Sequence, residues 1–160
     1  ASAHAEVVQS LRGRYEQWWE SLSPMFDGYV RIALGSEHEQ PARLTCHDWH
    51  TGDAPVPWNQ GAVSKDPQEN GFWAVDVLEA GEYEFTLRMR PAGVIYDLPP
   101  GKARMKIGDL EAESPIAEGD FKAVLRVDLP AGPAKLETWL ESDSGESRGA
   151  YFVDVRRLKP

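Results

Sequence analysis

Apolar and polar residues alternate through most of this chain, in runs that begin after Pro24 and continue to the C-terminus. The clearest run is 81–91, "GEYEFTLRMRP", in which every second residue from Tyr83 to Met89 is apolar. Successive side chains of a strand point to opposite faces, so this pattern predicts a strand with one buried face. Similar runs lie at 29–34, 42–46, 72–77, 102–108, 121–129, 134–142 and 150–158.

Turn-forming sequences such as "LEAGE", "LPPG", "LPAGP" and "SDSGES" separate these runs, and no helical pattern lies between them. The order predicts an all-β fold: an antiparallel β-sandwich, jelly-roll-like, of about eight strands. Parallel βαβ units are excluded because they need a helix between successive strands. A chain of 160 residues has a natural length for one domain with a sizeable core.

The first part of the chain follows a different period. Between Glu6 and Leu22 the apolar residues recur at steps of three and four, which is typical of an amphipathic helix. Pro24 predicts its end, because proline disfavours helical backbone at the preceding residue. We therefore expect a helix in 1–24 that packs on the sandwich or on another domain, and a sandwich in 25–160.

Charge and cysteine content exclude several classes of protein. The net charge of −9 and the pI of about 4.9 are unsuited to nucleic acid, whose phosphates require clustered Lys and Arg. No run approaches the roughly 18 apolar residues of a membrane-spanning helix. The single cysteine, Cys46, excludes an intramolecular disulfide and a multi-cysteine zinc site. The chain starts without Met, which suggests a processed protein or an excised piece.

The segment 47–70 is the longest irregular stretch, and long loops in compact domains are usually functional. Its start overlaps the sequence "CHDWH" (46–50), whose His47, Asp48 and His50 are residue types that bind metals. The two histidines are three positions apart at a strand end, where a strand would point them to opposite faces. A small metal-dependent enzyme is therefore the weakest of the functional hypotheses, and we expect no metal.

Cys46 with His47 is the other reactive pair in "CHDWH". A nucleophile and its base must approach to about 2.6–3.2 Å, whereas adjacent strand residues point apart. The register from Leu44 places Cys46 inward. It is therefore predicted to be buried and inert, and no catalytic residue is assigned.

Three tryptophans are candidates for a ligand platform. Trp49 and Trp58 belong to the long loop, and Trp139 lies on the polar side of its strand. An exposed indole can stack on a sugar ring, with Asn59, Gln60, Asp48 or Arg148 as hydrogen-bonding neighbours. The same surface would suit docking of another domain. Alternatively, the loop tryptophans fold back and cap the end of the sandwich.

Several sequence blocks together resemble the C-terminal region of bacterial sulfatases of the arylsulfatase family. The blocks are, in chain order, "VVQSLRGRYEQWWESLSPMF", "QPARLTCHDWH", "PWNQ", "NGFWAVDVLEAGEYEFTLRMRP", "AGPAKLETWL" and "SRGAYFVDVRRL". The resemblance implies an accessory domain that packs on a sulfatase catalytic domain and helps to shape the cleft for the sulfate ester. It also implies export to the periplasm or outside the cell.

The family's catalytic hallmark is absent from the sequence. That hallmark is a Cys-x-Pro-x-Arg or Ser-x-Pro-x-Arg segment, whose first residue becomes formylglycine beside a calcium ion. Cys46 is followed by neither the proline nor the arginine. The resemblance thus implies no cofactor and no catalysis for this chain, since calcium and formylglycine would lie in the absent catalytic domain.

Two principal hypotheses follow. In the first, a sulfatase accessory domain directs His47, Asp48, Trp49, Trp58, Asn59 and Gln60 toward the active site or the substrate. In the second, an autonomous carbohydrate-binding module binds a sulfated or neutral glycan through Trp49, Trp58 or Trp139. The candidate ligand or interface residues are therefore His47, Asp48, Trp49, His50, Trp58, Asn59, Gln60 and Trp139.

Overall fold

A computed structural model describes residues 4–158, and the chain divides after Val30 into two compact units. The first unit contains helix α1 (Ala5–Leu22) and a 3-10 turn (Ser23–Met25). The helix predicted over this segment is confirmed, and it gives way to the turn at Pro24. The ring of Trp19 lies edge-on to Phe26 at 5.2 Å. The packing predicted for this helix stays a prediction.

Within residues 31–158, the second unit contains ten strands. In chain order they are β1 (Ile32–Leu34), β2 (Ala42–Thr45), β3 (Phe72–Val77), β4 (Gly81–Arg88), β5 (Gly101–Ile107), β6 (Leu110–Ile116), β7 (Ala123–Leu129), β8 (Gly132–Ser142), β9 (Ser147–Arg148) and β10 (Phe152–Arg157). One sheet has the order β1-β3-β8-β5-β6, with β9 paired to β8, and the other has the order β2-β10-β4-β7.

The predicted antiparallel, jelly-roll-like β-sandwich is confirmed, with one local exception. All strand pairs are antiparallel except β1 with β3, which run parallel. Each of the eight predicted runs overlaps one strand, and β3 has the predicted bounds. The structure adds β6 and β9. Pro115 within β6 is tolerated because β6 is the last strand of its sheet.

The core lies between the inward faces of the two sheets. Tyr83, Phe85 and Leu87 of β4 are fully buried, as the alternation predicts. On β8 the inward side chains are Leu136, Thr138 and Leu140, so Trp139 faces the other way. Thr138 is the polar member of this row, and its hydroxyl oxygen accepts a hydrogen bond from the Ala150 N–H at 3.1 Å. That bond satisfies a buried backbone donor.

We expect Thr138→Val to lower the free energy of unfolding by about 1–3 kcal/mol, because it leaves the buried Ala150 N–H without an acceptor. Thr86→Val is the matched control, since Thr86 is also buried but forms no side-chain hydrogen bond within the described chain. It should change stability by less than about 0.5 kcal/mol. Urea unfolding of the two variants measures the difference, and equal losses would contradict the assigned role of Thr138.

Candidate ligand-binding pocket

The chain leaves β2 through a 3-10 turn formed by Cys46–Asp48. The predicted strand extends through Cys46, whereas the observed strand ends at Thr45. The expectation that strand alternation points His47 and His50 to opposite faces therefore does not apply here. The turn points Cys46 inward and leaves His47 and Asp48 exposed. The Thr45 hydroxyl donates to the Asp48 carboxylate at 3.1 Å, which ties the turn to the end of the strand.

Cys46 is buried, as predicted, with 2% of its surface exposed. Its thiol donates to the Pro57 carbonyl at 3.4 Å, and its backbone N–H donates to the Tyr151 carbonyl at 2.7 Å. Burial raises the pKa of the Cys46 thiol to about 11. The thiolate is the nucleophilic form, so a thiol with this pKa is poorly suited to nucleophilic catalysis at neutral pH.

Trp49 turns into the sandwich and is only 4% exposed. Its ring lies edge-on to Trp73 at 5.6 Å and to Tyr151 at 5.9 Å. Trp49 therefore follows the alternative in which a loop tryptophan folds back and caps the end of the sandwich. A buried indole cannot serve as an exposed platform, which corrects the expectation that Trp49 faces a ligand or partner.

Trp58 has the opposite environment, with 71% of its surface exposed. It precedes Asn59, whose side-chain oxygen accepts from the Ala62 N–H at 2.9 Å and caps the short helix α2 (Gln60–Val63). Asparagine is among the residues preferred at this capping position. The cap fixes where α2 begins and hence where Trp58 and Gln60 leave the backbone.

These residues border a pocket of about 310 Å³ at the end of β2 and β10. Its apolar lining includes Pro57, Trp58, Pro91 and Phe152. Its polar lining includes His47, Asn59, Gln60 and Arg90. Pockets that bind small molecules usually have this composition, apolar walls with a few polar groups that fix orientation.

The pocket brings together four of the eight candidate residues: His47, Trp58, Asn59 and Gln60. Asp48 lies beside it through its bond with Thr45, which is part of the lining. The remaining three lie elsewhere, and Trp49 among them is buried in the core. The backbone of His50 pairs with Phe72, and the imidazole stacks on the Phe72 ring at 5.1 Å. Trp139 lies on the other sheet, under the guanidinium of Arg104 at 4.5 Å.

Sequence reasoning missed Arg90 and Phe152 as pocket residues. Phe152 reaches the pocket because β10 pairs with both β2 and β4, which places it between Thr45 and Arg88. The pairing of Phe152 with Thr45 joins segments more than a hundred residues apart, so no local sequence pattern predicts it. Arg90 lies two residues after the end of β4. One of its guanidinium nitrogens donates a hydrogen bond to the Met89 carbonyl at 2.9 Å.

No group of three or more His, Cys, Asp and Glu side chains within residues 4–158 is arranged to hold a metal ion. His47, Asp48 and His50 are thus not assembled as a metal centre. None of the helices in this range is long and apolar enough to cross a membrane.

Comparison with known proteins gives structural neighbours only, since no protein-family model and no curated protein matches the sequence. A family 35 carbohydrate-binding module from Clostridium thermocellum has 11% identity and a TM-score of 0.48, and the match covers 72% of this chain and 98% of that module. A carbohydrate-binding module of a Cellvibrio mixtus lichenase, solved with cellotriose, has 10% identity and a TM-score of 0.40, with coverage of 76% and 100%.

A ruminal endo-β-1,4-mannanase of glycoside hydrolase family 26 has 15% identity and a TM-score of 0.46. The match covers 76% of this chain but only 27% of the mannanase. These neighbours contradict the resemblance to a sulfatase C-terminal region, because nothing among them points to a sulfatase. A sulfatase catalytic domain as partner and the localisation inferred from that family lose their basis with it.

The raised pKa of Cys46 predicts a loss of stability in alkaline solution. The thiol of the unfolded chain ionises near its ordinary pKa of 9.0, whereas that of the folded chain ionises at about 11. The contribution of Cys46 is therefore complete below pH 9 and is lost as the pH rises through about 11, a loss of at most about 3 kcal/mol. Chemical unfolding of the protein and of Cys46→Ala across this range measures it. Identical pH dependence in both proteins would show that Cys46 contributes nothing.

Proposed function

We propose that this protein is a non-catalytic carbohydrate-binding module that binds a glycan in the Trp58 pocket. The observation that carries the proposal is the exposed indole of Trp58 beside side chains that form hydrogen bonds. Tryptophan is usually largely buried, so an indole exposed at the mouth of a pocket favours a binding role.

The chemistry of the lining suits a sugar. A pyranose ring has an apolar face of C–H groups and an edge of hydroxyls. The Trp58 indole can cover the first, while Asn59, Gln60 and Arg90 offer donors and acceptors to the second. The volume is close to the lower limit of about 300 Å³ for ligand pockets, which suits one or two sugar units better than a long chain segment.

The titratable groups of the lining support binding without hydrolysis. Glycoside hydrolysis generally uses two carboxylic acids on either side of the scissile bond. The described residues that line this pocket include neither Asp nor Glu. A protein that binds polysaccharide would act where such polymers occur, so we propose a periplasmic or extracellular location.

We expect Trp58→Ala to weaken glycan binding by at least about tenfold, because the apolar face of the sugar loses its stacking partner. Isothermal titration calorimetry against a panel of neutral and sulfated oligosaccharides would first identify the ligand and then compare the variants. Trp58 is exposed, so the variant should retain the thermal stability of the parent protein.

Trp139→Ala is the matched control, because Trp139 belongs to the outer face of the other sheet. It should leave affinity unchanged. If Trp139→Ala lowered the glycan affinity and Trp58→Ala did not, the binding site would lie on the sheet that contains Trp139 and not in the Trp58 pocket. Absence of saturable binding by the parent protein to every member of the panel would reject the glycan ligand and leave docking of another domain as the use of the exposed indole.

A further inference from the structure

Asp66 connects three segments of the chain at one end of the sandwich. One carboxylate oxygen accepts from the Tyr96 hydroxyl at 2.5 Å, and the other pairs with the Arg90 guanidinium at 2.8 Å. Its backbone carbonyl accepts from the Arg148 guanidinium at 3.0 Å. Among residues 4–158, Asp66 is also the non-glycine residue with a positive φ, of 49°. Aspartate and asparagine tolerate this conformation better than most residues.

The same carboxylate joins the two walls of the Trp58 pocket. Arg90 contributes to one wall, and its guanidinium lies over the Tyr96 ring at 4.0 Å. Val63 and Ser64 contribute to the other, at the end of α2. The Asp66 N–H donates to the Val63 carbonyl at 3.2 Å, which links Asp66 to the last residue of α2.

The wall that carries Trp58 has no strand to hold it. Residues 51–66 belong to neither sheet, and the hydrogen bonds of α2 itself are local. Segments with few long-range hydrogen bonds unfold locally at a low cost in free energy. A binding loop that becomes ordered only when it binds has a lower affinity for its ligand, because the ordering costs free energy. The bonds of Asp66 to Arg90, Tyr96 and Arg148 oppose such opening.

We propose that Asp66 is a positioning residue for the Trp58 pocket, whose carboxylate holds α2 at the distance from Arg90 that binding requires. The ligand part of this inference rests on the proposed function. The role of Asp66 in holding α2 does not depend on that function, because the contacts of Asp66 are present in the protein without a ligand.

Asp66→Asn tests the carboxylate without changing the backbone preference, since asparagine also adopts positive φ. It retains an oxygen for the Tyr96 hydroxyl and loses the charge that pairs with Arg90. Hydrogen exchange of the free protein should become about tenfold faster at the amides of 59–65. Tyr96→Phe, which removes only the hydroxyl, should change exchange in the same direction and to a smaller extent.

Asp154→Asn is the matched control. Asp154 pairs with Arg88 at 2.5 Å within the sheet, and the side-chain exposures of that pair, 21% and 15%, are close to the 25% and 16% of Asp66 and Arg90. Its loss should leave exchange at 59–65 and glycan affinity unchanged, whatever its effect on thermal stability.

Titration with the oligosaccharide selected by the calorimetric panel completes the test. Asp66→Asn should weaken binding about fivefold, the cost of ordering the loop on binding. The inference is overturned if exchange at 59–65 is unchanged in both Asp66→Asn and Tyr96→Phe, if Asp154→Asn accelerates it equally, or if faster exchange leaves the affinity intact. If no glycan binds the parent protein, the proposed function fails. Faster exchange at 59–65 in Asp66→Asn, with none in Asp154→Asn, would still show that the Asp66 carboxylate positions α2.

Discussion

The burial of Trp49 against Trp73 and Tyr151 is the contact on which the geometry of the candidate site depends. The Trp73 indole nitrogen donates to the Thr45 carbonyl at 2.7 Å, so a residue of one sheet fixes the end of a strand in the other. Gly149 makes room for the contact, since a Cβ there would lie 2.6 Å from the Trp49 ring. The chain therefore has to turn at Cys46, and the following loop starts from a fixed point.

The far end of the loop returns to the same aromatic cluster. The Tyr151 hydroxyl donates to the Pro67 carbonyl at 2.5 Å, and the Asn70 amide donates to the Thr138 carbonyl at 2.9 Å. Both bonds are made by residues next to or within strands. A loop fixed at both ends by a rigid scaffold can vary between them, which is how binding loops are commonly arranged. That intermediate stretch provides half of the pocket lining, namely Pro57, Trp58, Asn59, Gln60, Val63 and Ser64.

The features that depend on local sequence pattern could be predicted, and those that depend on tertiary contacts could not. Alternation located the strands because one face of each is buried, and it missed β6, whose edge position leaves most side chains exposed. The sequence "PWNQ" indicated Trp58, Asn59 and Gln60 because an indole beside amides is informative by itself. Trp49 has a similar local context, and its burial depends on contacts with Trp73, Tyr151 and Gly149, which no local pattern shows. Arg90 depends on contacts distant in sequence.

The charge around the pocket favours hydroxyl groups as its polar partners. Arg90 is paired with Asp66, so the charge of its guanidinium is compensated, and its remaining N–H groups can donate hydrogen bonds to a ligand. Hydroxyls accept such bonds without adding charge, and a balanced pair avoids the cost of desolvating an isolated guanidinium. The pair that holds α2 in place thus also sets the electrostatic character of the pocket. In the proposed site, one carboxylate at position 66 thus contacts both the pocket arginine and the tyrosine packed on it.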